Sequence, residues 1–317
     1  MTKDAILPAT ATAPFLCTTT STTTAVPAAD MITHIKTAQD KDVTQFRNYT
    51  DSVLQARVAN HYRTMRKHQT VAFYEKMEEK YSFAPGKHRA EMTIREAFKV
   101  LETYVDSSDP DLDLPNLLHM LQTAEGIRKA GYPDWMQLVG LLHDMGKIQF
   151  LWGKGEDGQE GTGEGAQWAL GGDTWVVGCE VPSTVVFPEF NCLNPDMQDG
   201  RYSSRNGVYE EGCGIENMRW AWGHDEYMYR MLVANKTTLP KEGLAMVRYH
   251  SAYPWHDKGE YSRFMKEGDE VLMAAVKTFN DFDLYTKDEG NGVEVEEVWP
   301  YYQGLIEKYL GKGPVRW

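Results

Sequence analysis

The sequence is poor in cysteine, in positive charge and in long apolar runs. Its 317 residues include four cysteines and no C-x-x-C pair, which argues against a disulfide framework or a thiolate zinc site and predicts a reduced, cytoplasmic setting. The 33 Lys and Arg residues face 46 Asp and Glu residues, a net charge of -13, so nucleic acid and anionic membranes are poor partners. No apolar stretch approaches the roughly 20 residues of a membrane span. We expect a soluble protein, compatible with a monomer.

The first 36 residues offer little that can build a core. A Thr/Ser tract occupies 18–24, and the first arginine of the chain is Arg47. This composition predicts a disordered tail over 1–36, and it lacks the features of a secretion signal or a mitochondrial transit peptide. The remaining residues, 37–317, are predicted to form a single domain.

Apolar residues at three- and four-residue spacing predict that this domain is all-α, a helical bundle with at most short strands. Helices are expected near 94–105 and 117–127, and over 54–81, 134–147, 215–235, 239–251, 267–280 and 300–310. Pro115, Pro240 and Pro300 are expected where helices begin. Residues 168–190 are typical of short strands or a loop packed on the helices. Six glycines and four acidic residues at 153–166 predict a flexible, exposed insertion loop.

Histidines provide the first sign of chemistry. Five of the nine stand beside apolar residues in helical segments that also hold carboxylates or lysine: His119, His143, His224, His250 and His256. The other four lie in polar surroundings: His34, His61, His68 and His88. For a single histidine, a solvated or hydrogen-bonded role is the default interpretation.

The adjacent pair His143-Asp144 changes that interpretation, because it follows two leucines in an otherwise apolar segment. Burying both groups requires compensation, which metal ligation supplies. Gly146 permits close backbone packing or a helix end and leaves Lys147 near the site.

The candidate metal ligands along the chain are His119, His143, Asp144, His224, His250 and Asp283. Four imidazoles and two carboxylates are more ligands than one tetrahedral zinc ion takes. They fit two six-coordinate metal ions that share a carboxylate, and iron or manganese is favoured. The alternative is a helical core in which these histidines pair with nearby acids.

Long strings of residues in one order support a family resemblance. They are FRNY at 46–49, HQTV at 68–71, QTAEGIRK at 122–129, VGLLHD at 139–144, GHDEYMY at 223–229, YPWH at 253–256, DLYTK at 283–287 and PYYQGLI at 300–306. Over about residues 45–310 the sequence resembles the myo-inositol oxygenase family, the di-iron branch of the HD-domain superfamily.

The resemblance implies an enzyme that cleaves myo-inositol with O2 to give D-glucuronate, a four-electron oxidation without an external reductant. Its cofactor would be two iron ions, an Fe(II)/Fe(III) pair in the active form. By the resemblance, the first iron is held by His119, His143 and Asp283, the second by His224 and His250, and both by Asp144. Asp225, the acid of the second His-Asp pair, is not a ligand in this assignment.

The resemblance also assigns the substrate residues. Lys147 would be catalytic and lie near the hydroxyl that meets the metal, while Asp106, Asp173 and Ser251 would bind other ring hydroxyls. Arg47 and Tyr62 would cover the substrate as a lid and keep water from a reactive oxidant.

Two other classes of function stay open from the sequence. Many HD-domain proteins with a similar ligand order are phosphohydrolases or phosphodiesterases, although no arginine cluster for a phosphate dianion accompanies these motifs. A metal-free helical binding protein is the third possibility. Its signature would be missing ligands, and none is missing here.

Overall fold

The computed structural model describes Arg47, Tyr49 and residues 54–109, 116–161, 166–285 and 293–317. The predicted tail over 1–36 and Pro115 lie outside these residues. Helices dominate the described part of the chain, which confirms the all-α prediction. No helix within those ranges has both the length and the hydropathy that crossing a membrane requires.

The helices are α1 (Gln55–His68), α2 (Val71–Lys80), α3 (Ile94–Val100), α4 (Asn116–Lys129), α5 (Asp134–Leu142), α6 (His224–Ala234), α7 (Lys241–Tyr249), α8 (Tyr253–His256), α9 (Asp269–Tyr285) and α10 (Val295–Leu310). Short 3-10 helices connect several of them, and the one at Met145–Leu151 matters most for the site. Strands β1 (Glu91–Met92) and β2 (Val315–Arg316) pair antiparallel, with Glu91 opposite Arg316. The expectation of little sheet is therefore confirmed.

Several predicted helices have different ends in the structure. The predicted 54–81 helix breaks at Gln69, whose side-chain amide accepts from Trp222 N at 2.9 Å and donates to Trp222 O at 2.6 Å. The predicted 215–235 helix begins only at His224. These breaks serve contacts between distant segments, which helical periodicity does not encode.

Proline marks one helix start correctly and one incorrectly. Pro240 directly precedes α7, as predicted. Pro300 lies inside α10, which begins at Val295, so the prediction of a helix start there is wrong. A proline removes one N–H from the helix ladder, and the buried face of α10, with Trp299 and Tyr302, holds the helix across this gap.

The core lies between helices that carry the candidate ligands. α4 packs against α5, while α7 packs against both α6 and α9. Residues 168–190 form a loop over these helices, with Trp175 and Val176 buried and a single isolated bridge from Val176 to Trp220. Of the two alternatives for this segment, the packed loop is the one observed.

The segment 153–166, which its composition predicts to be an exposed loop, is buried in part. Asp157 and Gln159 are buried. The Asp157 carboxylate accepts from Lys76 Nζ at 2.5 Å and from Lys80 Nζ at 2.8 Å, and Gln159 Oε1 accepts from Tyr81 OH at 2.6 Å. Two lysines one turn apart on α2 thus hold a carboxylate that was expected to be solvated.

Candidate metal centre and substrate cavity

The six predicted metal ligands are brought together by five helices. His119 lies on α4 and Asp283 on α9, and His224 is the first residue of α6. His143 and His250 directly follow α5 and α7. All six side chains are buried.

The helix predicted over 134–147 is too long. α5 ends at Leu142, and Asp144 precedes the 3-10 helix Met145–Leu151. The turn leaves room for a close approach at Gly146, where a Cβ atom would lie 1.9 Å from the carbonyl oxygen of His224. The expected close packing at Gly146 is confirmed, and it brings the turn carrying Asp144 against the start of α6.

His143 and His250 make the same contact at the ends of their helices. Nδ1 of His143 donates to Gly140 O at 2.9 Å, and Nδ1 of His250 donates to Val247 O at 3.0 Å. The last carbonyl groups of a helix lack intrahelical donors, so each side chain satisfies one of them. Because Nδ1 carries the hydrogen, Nε2 of each ring faces the site and offers a lone pair to a cation when the ring is neutral.

His224 is oriented in the same way by a different segment. Its Nδ1 donates to Leu170 O at 2.6 Å, so its Nε2 also presents a lone pair. This atom lies 2.9 Å from His250 Nε2 and 3.0 Å from Asp144 Oδ1. His250 Nε2 lies 3.7 Å from the same carboxylate oxygen.

A second cluster lies on the other side of Asp144. Nε2 atoms of His119 and His143 are 2.9 and 3.2 Å from Asp283 Oδ1 and 3.3 Å from each other. They are 3.7 and 3.6 Å from Asp144 Oδ2, the oxygen that faces away from His224. Asp144 therefore lies between two pairs of imidazoles, with one oxygen turned to each pair.

This donor set fits bound metal ions. Nε2 atoms of His224 and His250 face each other at 2.9 Å although each ring has placed its hydrogen on Nδ1. If both rings are neutral, two lone pairs so close repel unless a cation lies beside both. Ligand atoms of His119, His143 and Asp283 lie within 4.8 Å of one another, and those of His143, Asp144 and His250 do so too. Nitrogen and oxygen donors without a thiolate suit iron or manganese.

Both carboxylates of the centre are ionised. Burial alone raises the pKa of Asp144, but the charge of Lys147 and the neighbouring imidazoles hold it well below its usual range. Burial acts in the same direction on Asp283, but the neighbouring His119 and His143 hold its pKa well below the usual range. The centre thus supplies two negative charges to a cation.

Lys147 connects the ligand cluster to a third acid. Its Nζ donates to Asp144 Oδ2 and Asp106 Oδ2, both at 2.8 Å, and to Asn116 Oδ1 at 2.9 Å. Burial lowers the pKa of Lys147, but Asp106 and Asp144 together raise it above its usual value. Asp106 is itself held by Ser108, whose N and Oγ donate to Asp106 Oδ1. Lys147 is therefore a fully engaged cationic donor.

Arg47, Tyr62 and Asp173 meet in another part of the cavity lining. Arg47 donates to both carboxylate oxygens of Asp173, with Nη1 at 3.0 Å from Oδ1. Its guanidinium lies over the Tyr253 ring, 3.3 Å from the centroid. Tyr62 OH donates to Asp173 Oδ1 at 3.2 Å and accepts from Asp173 N at 3.0 Å. These contacts join the residues predicted as a lid to a predicted substrate acid.

One cavity of about 100 Å³ contacts nearly all of the predicted site residues. Its lining includes Arg47, Tyr62, Asp106, Lys147, Asp173 and Ser251, and every predicted ligand except His143. The structure thus assembles the predicted set in one place. His143 lies behind the cavity, fully buried.

Asn116, Tyr253 and His61 are among the residues at or beside the cavity to which the sequence assigned no role. Asn116 precedes His119 by three positions on α4, so helical spacing was a usable signal. Tyr253 follows Ser251 closely, but nothing in the sequence indicates that its ring lies under Arg47. The sequence places His61 in polar surroundings, because its neighbours include Asn60 and Arg63. In the structure its side chain is buried.

Asp225 stands outside the ligand clusters although it is buried next to His224. Its Oδ1 accepts from Glu226 N at 2.9 Å, and its Oδ2 has no hydrogen-bond partner among the described residues. Burial raises the pKa of this carboxyl. Its position agrees with leaving it out of the ligand set.

Known proteins resemble the chain over most of its length. Residues 55–317 match the family model described as Myo-inositol oxygenase. Inositol oxygenase of Mus musculus is 48% identical over 284 residues, which cover 88% of this chain and 93% of the relative. That of Homo sapiens is 45% identical, covering 85% and 90%, and that of Dictyostelium discoideum is 41% identical, covering 92% and 97%. The resemblance drawn from the sequence motifs is confirmed, and the chain belongs to the myo-inositol oxygenase family.

Proposed function

We propose that this chain binds two iron ions, Fe(II) and Fe(III) in the active form, and cleaves the C1–C6 bond of myo-inositol with O2 to give D-glucuronate. As a member of its family the chain is an oxygenase that acts on inositol.

The observation that carries the proposal is the pairing of imidazoles on both sides of Asp144. Backbone carbonyls fix the hydrogen on Nδ1 of His143, His224 and His250, so three Nε2 lone pairs converge with two carboxylates. We assign His119, His143 and Asp283 to one iron, His224 and His250 to the other, and Asp144 to both. When bound, the irons supply a Lewis acid for the polyol and a centre that passes electrons to O2.

The reaction balances without a further reductant. Myo-inositol, C6H12O6, and O2 give glucuronic acid, C6H10O7, and one water. One oxygen atom enters the product, the other leaves as water, and the four electrons come from the carbon that becomes the carboxyl group and from the carbon that becomes the aldehyde.

Lys147 binds and polarises a substrate hydroxyl in this proposal. Because its pKa is held above the usual value by Asp106 and Asp144 against the effect of burial, it acts as a charged donor and not as a base at neutral pH. All three of its N–H groups already have acceptors, so a hydroxyl must replace one of them. We expect the side chain of Asp106 to turn its Oδ2 from Lys147 toward a ring hydroxyl, while the backbone of its loop stays in place.

The remaining polar groups recognise an uncharged ring by its hydroxyls. Asp173 and Ser251 line the same cavity as Lys147, and both are buried. A buried donor or acceptor left without a partner costs about 1–3 kcal/mol, so a ligand that lacks a matching hydroxyl is rejected.

Arg47 and Tyr62 exclude water from the site. The paired contacts of Arg47 with Asp173 and Tyr253 fix a cover whose opening requires breaking a partly buried ion pair. Exclusion of water protects reactive species from side reactions. The cover therefore ties substrate recognition by Asp173 to closure.

The test is O2 uptake with product identification. The protein is loaded with iron anaerobically, partly oxidised and given myo-inositol, beside a His143→Ala variant. Equal amounts of O2 consumed and glucuronate formed by the wild type alone support the proposal. Absence of uptake, together with binding of two irons and hydrolysis of phosphate esters, would replace it with the hydrolase function of other HD-domain proteins.

A further inference from the structure

His61 is buried beside the cavity but has no part in the chemistry proposed above. We propose that it is a positioning residue, which ties the loop of Asp106 to the turn of Asp173 and so fixes the spacing of the two acids that bind the polyol. This inference rests on the proposed function, since it concerns the fit of the same substrate.

The contacts of His61 define its state. Nε2 lies 3.1 Å from Gly171 O, and Nδ1 lies 3.1 Å from Ser107 Oγ. A carbonyl oxygen can only accept, so Nε2 carries the hydrogen, and Nδ1 of the neutral ring accepts from the Ser107 hydroxyl. Burial lowers the pKa of His61 although Asp106 acts in the opposite direction, which favours this neutral form.

Both partners adjoin proposed substrate acids. Ser107 directly follows Asp106, and Gly171 precedes Asp173 by two residues. The imidazole thus connects Ser107 to Gly171, two residues that lie 64 positions apart in the sequence. Since the ring is rigid, its two nitrogens set the distance between the segments.

Gly171 and Gly172 pack closely against both Asp106 and His61. A Cβ atom at Gly171 would lie 2.6 Å from Asp106 Oδ2, and one at Gly172 would lie 3.1 Å from His61 Nε2. The backbone of 171–172 is therefore in contact with both the acid and the imidazole. A shift of this turn moves Asp106 and Asp173 relative to each other.

The next residue of α1 completes the arrangement. Tyr62 bonds both the backbone N and the carboxylate of Asp173, at 3.0 and 3.2 Å. Two consecutive side chains of α1 thus hold the 171–173 turn from its two ends. Tyr62 has the additional role of covering the cavity, whereas His61 acts only through the backbone and Ser107.

Steady-state kinetics of the iron-loaded protein with myo-inositol test this role. In His61→Leu, the KM is expected to rise about tenfold, the size of effect of losing one buried hydrogen bond. His61→Gln is expected to recover most of the affinity, because its amide nitrogen can donate to Gly171 O. Ser107→Ala removes only the second contact, and its KM should rise about threefold. In all three, kcat and iron content should stay close to those of the wild type.

His68→Gln is the matched control, since His68 is exposed on the same helix and stacks on Trp168 away from the cavity. A KM of His61→Leu within about twofold of the wild type would overturn the proposal. So would equal KM values for His61→Gln and His61→Leu, or a loss of iron and melting temperature in place of a KM change. If His61→Leu does not fold, an unchanged KM in both His61→Gln and Ser107→Ala overturns it. A wild type that forms no glucuronate overturns the proposed function as well.

Discussion

The cavity has two walls that are built by different means. The ligand wall carries the proposed metal ligands, and the substrate wall carries the residues proposed to bind or cover the polyol. On the ligand wall, His143, His224 and His250 are oriented by backbone carbonyls at helix ends or in an adjoining segment. On the substrate wall, Arg47 and Asp173 are oriented by other side chains and by loops. Backbone contacts at helix ends change little when a side chain elsewhere is replaced, while a network of side chains changes with each member. The ligand wall is thus preorganised for a cation, and the substrate wall depends on each of its side chains.

The strongest test of this difference removes the residue between the imidazole pairs. Asp144→Asn keeps the shape of the side chain but removes a charge that both irons share in our assignment. We expect loss of iron and a fall in turnover of more than about 100-fold, since even residues that only support metal ligands contribute 10- to 100-fold. Metal analysis and glucuronate formation measure this.

Asp225→Asn is the control for Asp144→Asn, because it changes a buried acid one residue from His224 that lies outside the ligand clusters. It should retain its iron. Iron loss from Asp225→Asn with retention in Asp144→Asn would reverse the assignment of the two His-Asp pairs.

The part of the site that the sequence predicts also differs between the two walls. Helical periodicity and the His-Asp pair identify every residue of the ligand wall, because those residues lie in or beside helices with a clear apolar pattern. Periodicity does not show that His143 and His250 follow their helices and point their Nδ1 atoms back at them, since that requires the backbone geometry.

The substrate wall was reached through family resemblance and not through local pattern. Nothing near Arg47 in the sequence indicates Tyr253 as its partner, and nothing near His61 indicates Ser107 and Gly171. The burial of Asp157 was missed for the same reason, because its lysine partners lie on α2. Contacts between distant segments depend on tertiary structure, which composition and spacing do not contain.

Lys147 joins the two walls, and its replacement should separate binding of metal from catalysis. In Lys147→Ala, we expect kcat to fall by about 100- to 1,000-fold, the range for removing one charged or hydrogen-bonding stabiliser. Iron content should stay near that of the wild type, because the imidazoles and carboxylates remain. The measurements are turnover and iron per chain in the same preparation. Equal loss of both would show that Lys147 belongs to the ligand wall alone.

On the substrate wall, Arg47→Lys tests whether the cover depends on geometry or only on charge. Lysine keeps the charge but cannot contact both oxygens of Asp173 while lying flat on Tyr253. We expect the KM for myo-inositol to rise about tenfold, as for loss of one charge-assisted hydrogen bond. We also expect O2 consumption to exceed glucuronate formation as water enters. A variant with wild-type KM and full coupling would show that charge alone closes the cavity.

The smallest expected effect concerns pH and separates the walls without changing the ligands. Burial lowers the pKa of His61 from its ordinary value of 6.5; Asp106 opposes this shift, and Arg57 and Lys147 add to it. The unfolded chain therefore takes up a proton first as the pH falls below 6.5, and the stability due to neutral His61 is present above that pH and lost below it.

Since glutamine does not titrate, the free energy of unfolding of the wild type should fall relative to His61→Gln by at most about 1.4 kcal/mol per pH unit. Urea unfolding of both proteins between pH 7.5 and 5.5 measures the difference. Parallel curves would mean that His61 has the same pKa in the folded and the unfolded chain. The substrate wall would then be no more sensitive to mild acid than the ligand wall, whose carboxylates have pKa values well below their usual range.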